Sequence, residues 1–264
     1  MRTAGPNVDA DRYLARLGVD GGSIRSNLDS LTLLQHAHLA AVPFENLDLV
    51  FAAGVAHDRS AALNKIIDAR RGGWCFELNG AFGALLEALG FRVSLLGAAV
   101  LLEGPSMILE HLALEVSGGI GLIEPHFVDV GFGTGTVRPL PLNQLGPHDG
   151  GNGTYEFFAS PQGTTLTEHV DGIPAAQLRF KRVAHCFEDF APVAASMQVD
   201  PARHWSSKPF ATRLVDVDST DRVTLTADRL KMKHADGSQT NELIKRNTWN
   251  ATLRDWFGMD PPGL

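Results

Sequence analysis

One of the chain's two cysteines, Cys75, stands where a thiol can become a nucleophile. It follows Arg71-Gly72-Gly73-Trp74, and after it Leu78, Phe82, Leu85, Leu86 and Leu89 recur at helical spacing. A thiol at a helix start meets the positive end of the helix dipole and unpaired backbone N–H groups, which favour the thiolate. Taken singly, a cysteine among apolar residues is more often a small core side chain. Two further residues change that balance. In His111-Leu112-Ala113-Leu114-Glu115-Val116, strand alternation puts Leu112, Leu114 and Val116 on one face and His111 on the other. In Phe127-Val128-Asp129-Val130, the two valines share a face and Asp129 lies opposite.

Ser117-Gly118-Gly119-Ile120-Gly121 separates these two runs and signals a hairpin. A turn centred near Ile120 places His111 across from Asp129, with Cβ atoms roughly 5 Å apart. Pro125 is a misfit in a central strand and marks a candidate bulge; a one-residue slip would turn Asp129 to the other face. Cysteine, histidine and aspartate together form a nucleophile, its base and an acid that orients the base. Each has a bland reading by itself, but three coincidences are needed to dismiss them jointly.

Other chemistry is less well supported. The ten histidines show neither Cys-x-x-Cys nor His-Glu-x-x-His spacing, so no metal site is expected. Gly131-Phe132-Gly133-Thr134-Gly135 lacks the spacing of a dinucleotide or P-loop motif and reads as a flexible connection. Cys186, with no glycine-rich approach, reads as structural. The cations Arg70 and Arg71, and Arg179, Lys181 and Arg182, are candidates for contact with an anionic cofactor.

The elements that must position these residues fall into two regimes. Before residue 90 the pattern is helical. Asp9 caps a helix carrying Tyr13, Leu14 and Leu17 and stopped at Gly18, Ser30 caps one with Leu31, Leu34 and His38, and the third runs from Cys75 to a stop at Gly90. After it, residues 91–102, 111–116 and 127–132 read as strands of an antiparallel sheet or barrel, and 146–163 as loop. Beyond Ala191 a hairpin pairs Arg213–Val217 with Arg222–Thr226 through Asp218-Ser219-Thr220-Asp221, followed by a helical C-terminal stretch.

Composition narrows the classes. With 264 residues, 44% of them hydrophobic, the chain can build a sizeable core. A net charge of −7 argues against nucleic acid as a main partner. No stretch has the length of a membrane helix, the first residues lack a signal-peptide pattern, and two cysteines make no disulfide framework, so a reducing cytoplasm is expected.

The segment Arg71–Asn79 resembles the active-site cysteine motif of the arylamine N-acetyltransferases. Val42-Pro43-Phe44-Glu45-Asn46-Leu47 resembles a second signature of that family, and Val128-Asp129-Val130-Gly131-Phe132-Gly133 a third, with His111 in place between them. The resemblance covers roughly residues 10–140. His204-Trp205-Ser206-Ser207-Lys208-Pro209-Phe210 is similar to a compressed form of a stretch lining the family's cleft. The resemblance implies an α+β fold in three parts: a helical bundle over 1–90, an antiparallel β-barrel over 91–190 and a C-terminal α/β lid over 191–264, around a cysteine-protease-like core. It implies Cys75, His111 and Asp129 as the triad, with Arg71, Glu45 and Asn46 supporting it and Arg71 paired to Glu45. Gly131, Phe132 and Gly133 then border the cleft of acetyl-CoA, the co-substrate, and the acceptors are arylamines or arylhydrazines. Two other readings stay open on the residues alone: a cysteine hydrolase or transglutaminase-like enzyme acting on amides, and a binding protein with an unreactive Cys75.

Overall fold

The computed structural model describes residues 8–52, 54–102, 108–119, 121–200 and 206–262. Helix α1 (Ala10–Leu17) is capped by Asp9, whose side chain accepts the Arg12 N–H at 3.1 Å, and ends as Gly18 turns to φ 72°. Helix α2 (Leu28–Ala41) begins earlier than expected. Its cap is Asn27, which accepts the Ser30 N–H at 2.9 Å, while the Ser30 hydroxyl accepts the Arg25 N–H at 3.0 Å from inside the first turn. Both residue types can cap, and the apolar period starts at Leu28, which decides between them. Strand β1 (Phe44–Glu45) and helices α3 (Leu47–Phe51) and α4 (Arg59–Ile67) follow, then α5 (Cys75–Ala88), after which the chain turns at Gly90 with φ 88°.

Eight strands come next: β2 (Arg92–Val100), β3 (His111–Ser117), β4 (His126–Val128), β5 (Leu140–Pro141), β6 (Pro147–Asp149), β7 (Thr154–Ser160), β8 (Gly163–Val170) and β9 (Ile173–His185). They form one sheet in the order β5-β4-β3-β2-β9-β8-β7-β6, curled into a nearly closed barrel. Residues 146–163 are therefore not a loop, because β6 and β7 lie within them. Tyr155 and Phe157 alternate onto the barrel core and outweigh the turn residues around them; Gly150–Gly153 turns into β7 and Ser160–Gly163 into β8.

Helix α6 (Ala191–Val199), strands β10 (Ala211–Leu214), β11 (Arg222–Leu225), β12 (Arg229–Lys233) and β13 (Gln239–Leu243), and helix α7 (Trp249–Phe257) complete the chain. The second sheet runs β1-β10-β11-β12-β13, so β1, which contains Glu45, is an edge of the C-terminal sheet. The expected hairpin exists with a wider turn: Leu214 pairs with Arg222, and Val215 N–H bonds the Asp221 carbonyl at 2.8 Å. Side-chain bonds from Asp216 to Asp218 N–H and from Ser219 to Asp221 N–H stabilise the longer loop.

The β3–β4 register corrects the hairpin argument. Leu114 pairs with Val128 and Val116 with His126, two residues away from a turn centred on Ile120, which itself lies outside the described residues. An offset of two preserves the face, so His111 and Asp129 remain on one side. Asp129 lies just beyond the end of β4, and Pro125 precedes that strand rather than bulging it. Leu112, Leu114, Val116 and Val128 pack against the helices, while Ala113 and Phe127 face the barrel core. Among the described residues no helix is long and apolar enough to cross a membrane.

Candidate active site

Cys75 is the first residue of α5 and is 6% exposed. The approach to it is set by a close contact: a Cβ on Gly72 would lie 1.9 Å from the Pro43 carbonyl oxygen, so only glycine fits. The Trp74 N–H at the helix start donates to Glu77 Oε2 at 3.2 Å, and the Cys75 thiol points at the Glu110 carbonyl 3.9 Å away. Cys186, expected to be structural, is exposed at the start of a short 3-10 turn. Reactivity of a thiol depends on activating neighbours as well as on exposure, and Cys75 has a helix start and His111 beside it while Cys186 has only exposure. Limiting iodoacetamide should therefore label Cys75 ahead of Cys186; mass mapping that finds Cys186 labelled first removes the nucleophile assignment.

His111 and Asp129 are both 3% exposed, and His111 Nε2 lies 2.6 Å from Asp129 Oδ2. Burial opposes charge on the imidazole, but the Asp129 carboxylate outweighs it, through its charge and its hydrogen bond. A hydrogen bond with Cys75 adds to this, and the His111 pKa rises to about 10. With Nε2 committed to Asp129, Nδ1 is the nitrogen left for the thiol. Asp129 Oδ1 accepts from Asn79 Nδ2 and from the Gly131 N–H, both at 2.8 Å. A Cβ on Gly131 would meet Asn79 Nδ2 at 2.6 Å and Cys75 Cα at 2.8 Å, so this glycine lets the Asp129 loop close against the cysteine. The Phe132 ring stands edge-on to His111 at 5.4 Å, and Gly133 borders Phe44 and Thr212.

Cys75, His111, Gly131 and Phe132 share an apolar cavity of about 60 Å³, walled also by Trp74, Val100 and Met197. Asn46 lines it as well and ties it to the C-terminal part: its Nδ2 donates to the Lys208 carbonyl and its Oδ1 accepts the Phe210 N–H, each at 2.8 Å. In the 204–210 stretch, His204 and Trp205 lie outside the described residues, and the Phe210 ring packs tilted against Phe44 at 5.3 Å between centroids.

Beneath the cysteine loop lies a cluster of five charges. Arg71 Nη2 meets Glu45 Oε1 at 2.6 Å, the pairing the motif implied, and reaches Asp48 Oδ1 at 3.1 Å. Sequence reasoning missed the rest: Lys65 Nζ lies 2.6 Å from Asp48, 3.0 Å from Glu77 and 3.8 Å from Glu45. Burial opposes charge on Lys65, yet the three carboxylates raise its pKa; burial likewise pushes Glu77 up, to about 7, against the pull of Lys65. Both directions are compatible, because two cations face three carboxylates and the uncompensated charge falls on the deeply buried Glu77. Asn79 was missed too, although its place four residues after Cys75, on the same helix face, is a signal in the sequence.

Of the candidate anion contacts, Arg71 is consumed by this cluster and Arg182 by Glu115 at 2.7 Å. Arg179 and Lys181 line a separate cavity of about 220 Å³ with Ala99 and Leu101, whereas Val100 and Leu102 line the cysteine cavity. Among the described residues no group of three or more histidine, cysteine or acidic side chains could hold a metal ion.

A histidine and a carboxylate at one end of the barrel meet a helix-borne cysteine, the arrangement of a nucleophile with its base and orienting acid. The chain belongs to the N-acetyltransferase family, whose model matches residues 27–261. Within that family its relatives are arylamine N-acetyltransferases. One from Mycolicibacterium smegmatis is 38% identical over 147 residues, 53% of this chain and 52% of that protein. Another, from Escherichia coli (strain K12), is 39% identical over 136 residues, 50% of this chain and 47% of that protein. The chain thus spans about half the length of the curated relatives it matches. The fold agrees over more of the chain. The arylamine N-acetyltransferase of Mycobacterium marinum in complex with CoA superposes with a TM-score of 0.85 at 28% identity, covering 95% of this chain and 93% of that one. That of Salmonella typhimurium gives 0.86 at 25% identity, covering 95% and 90%.

Proposed function

We propose that the chain is an arylamine N-acetyltransferase that carries an acetyl group from acetyl-CoA to an arylamine or arylhydrazine through acetyl-Cys75, in the cytoplasm. The observation that carries this reading is the helix-start thiol beside a histidine whose other nitrogen is held 2.6 Å from a buried carboxylate. The CoA complex of the M. marinum relative supports the choice of donor. In this reading residues 1–90 supply the nucleophile, 91–190 the base and its acid, and 191–264 the lid.

His111 Nδ1 takes the Cys75 proton, and the imidazolium is stabilised by Asp129 through Nε2. Cys75 Sγ attacks the thioester carbonyl; backbone N–H groups at the start of α5 stabilise the oxyanion, the bond to the CoA sulfur breaks, and His111 returns its proton to that sulfur. The acceptor nitrogen then attacks acetyl-Cys75, His111 takes its proton and the thiol is restored. Glu45 and Arg71 hold the loop before Cys75, Asn46 holds the cleft wall, and Gly131, Phe132 and Gly133 border the donor's path. The apolar cavity keeps water from the thioester.

Two half-reactions follow from this scheme. Acetyl-CoA without amine should add one acetyl group to the intact protein, mapped to Cys75, and an aromatic amine or hydrazine should then discharge it. An enzyme specialised for amides forms no donor-dependent adduct, and a binding protein forms none. Transfer that needs both substrates at once and survives in Cys75→Ala would overturn the thiolate mechanism.

A further inference from the structure

The sheet does not hold Asp129 in place. The β3–β4 ladder ends at the Leu114–Val128 pair, and Asp129 follows in irregular backbone. Packing of α5 on β3 is apolar and non-directional, so it sets no 2.6 Å contact by itself. Gln35 Nε2 reaches the Asp129 backbone carbonyl at 3.5 Å, and a second side chain directs the carboxylate itself. Asn79 lies one turn after Cys75 on α5 and is fully buried. Its Nδ2 donates to the Leu112 carbonyl at 2.6 Å and to Asp129 Oδ1 at 2.8 Å, and its Oδ1 accepts the Val130 N–H at 3.0 Å. A primary amide has two N–H groups and one oxygen, and all three functions are used. Leu112 follows His111 and Val130 follows Asp129. A single amide on the nucleophile's helix therefore grips the strand of the base and the loop of the acid.

We propose that Asn79 is a positioning residue that assembles the three catalytic groups; this rests on the acetyl-transfer reading for their roles. Together with the Gly131 N–H it occupies Asp129 Oδ1, so that Oδ2 is presented to His111 Nε2. The neutral amide matters as well as its shape, since a carboxylate at this place would set acceptor against acceptor at Leu112 and Asp129.

The test uses Asn79→Ser and Asn79→Asp in the full chain. It follows folding by circular dichroism, the first-order rate of Cys75 acetylation against acetyl-CoA concentration and pH, and Cys75 alkylation by iodoacetamide. Proton NMR of the His111 ring N–H bonded to Asp129 gives a readout independent of the reaction. Loss of alignment by about an ångström lowers rate by about a hundredfold. Asn79→Ser should therefore acetylate about a hundredfold more slowly at saturating donor, with the half-saturating concentration unchanged and the downfield ring proton lost or shifted. The isosteric Asn79→Asp loses both donors at neutral pH and regains one on protonation, so its rate relative to the parent should recover as pH falls. A folded variant of either kind with parental acetylation rate, pH profile and ring proton overturns the proposal. If the parent itself forms no acetyl-Cys75, the acetyl-transfer reading fails instead. Alkylation rate and ring proton then still decide on Asn79, a parental pattern overturning it and slowed alkylation with a displaced proton upholding it.

Discussion

Asp129→Asn should leave the protein folded and lower turnover about a thousandfold or more, the scale on which triads depend on the orienting acid. The geometry explains why so similar a side chain fails. Asp129 Oδ1 is bound by two donors, Asn79 Nδ2 and the Gly131 N–H, so an amide placed here keeps its oxygen on that side. Its NH2 group then faces His111 Nε2, which must accept rather than donate. The ring proton moves to Nδ1, and the nitrogen that should receive the thiol proton is already protonated. Stability changes with pH in a matching way. The folded pKa of His111, about 10, lies above its ordinary 6.5, so the pair's contribution is complete below about 6.5 and lost as pH rises through about 10. The stability gap between parent and variant should be widest at neutral or mildly acid pH and narrow above that window. Near-parental turnover, measured by acetylated amine, would remove Asp129 from the mechanism.

The second large effect is on stability. Lys65→Met should destabilise the protein by about 3–5 kcal/mol, because breaking a buried ion pair strands its partners. Among the described residues Lys65 alone links Glu77 to the pair of Arg71 with Glu45 and Asp48. Without it a single arginine faces three carboxylates. For a chain of this size the loss corresponds to a fall of about 6–20 °C in Tm, at about 2–4 °C per kcal/mol. The penalty should shrink as pH falls. Glu77 already binds its proton more tightly folded than unfolded, its pKa raised by burial to about 7 from 4.5, so its unfavourable charge grows as pH rises through that range. Calorimetry from pH 5 to pH 8 reads both effects; an unchanged Tm at neutral pH would mean that the cluster is solvated and adds nothing.

Local patterns carried a good deal. The glycine pair before an apolar helix announced a cysteine at a helix start, because the 3.6-residue period and the helix ends are written in neighbouring residues. Alternation announced His111 opposite an apolar face for the same reason. The helix cap at Asn27, the strands within 146–163 and the helix carrying Lys65 were not foreseen, since at each place several neighbouring residues are competent for cap, turn or strand and packing selects among them. The His111–Asp129 contact was reached through a register two residues off, and it survived because a shift of two returns every side chain to its own face.

The residue types, their helical or alternating spacing and the family motifs are properties of short stretches, and from them the amino-acid order alone determined the class of fold and singled out Cys75, His111 and Asp129 as the candidate groups. Only the tertiary structure decided what holds those groups to a hydrogen-bond length. Apolar periodicity brings elements together without direction, whereas the Asn79 amide and the Lys65 ammonium act through directed bonds and charges to residues distant in the chain.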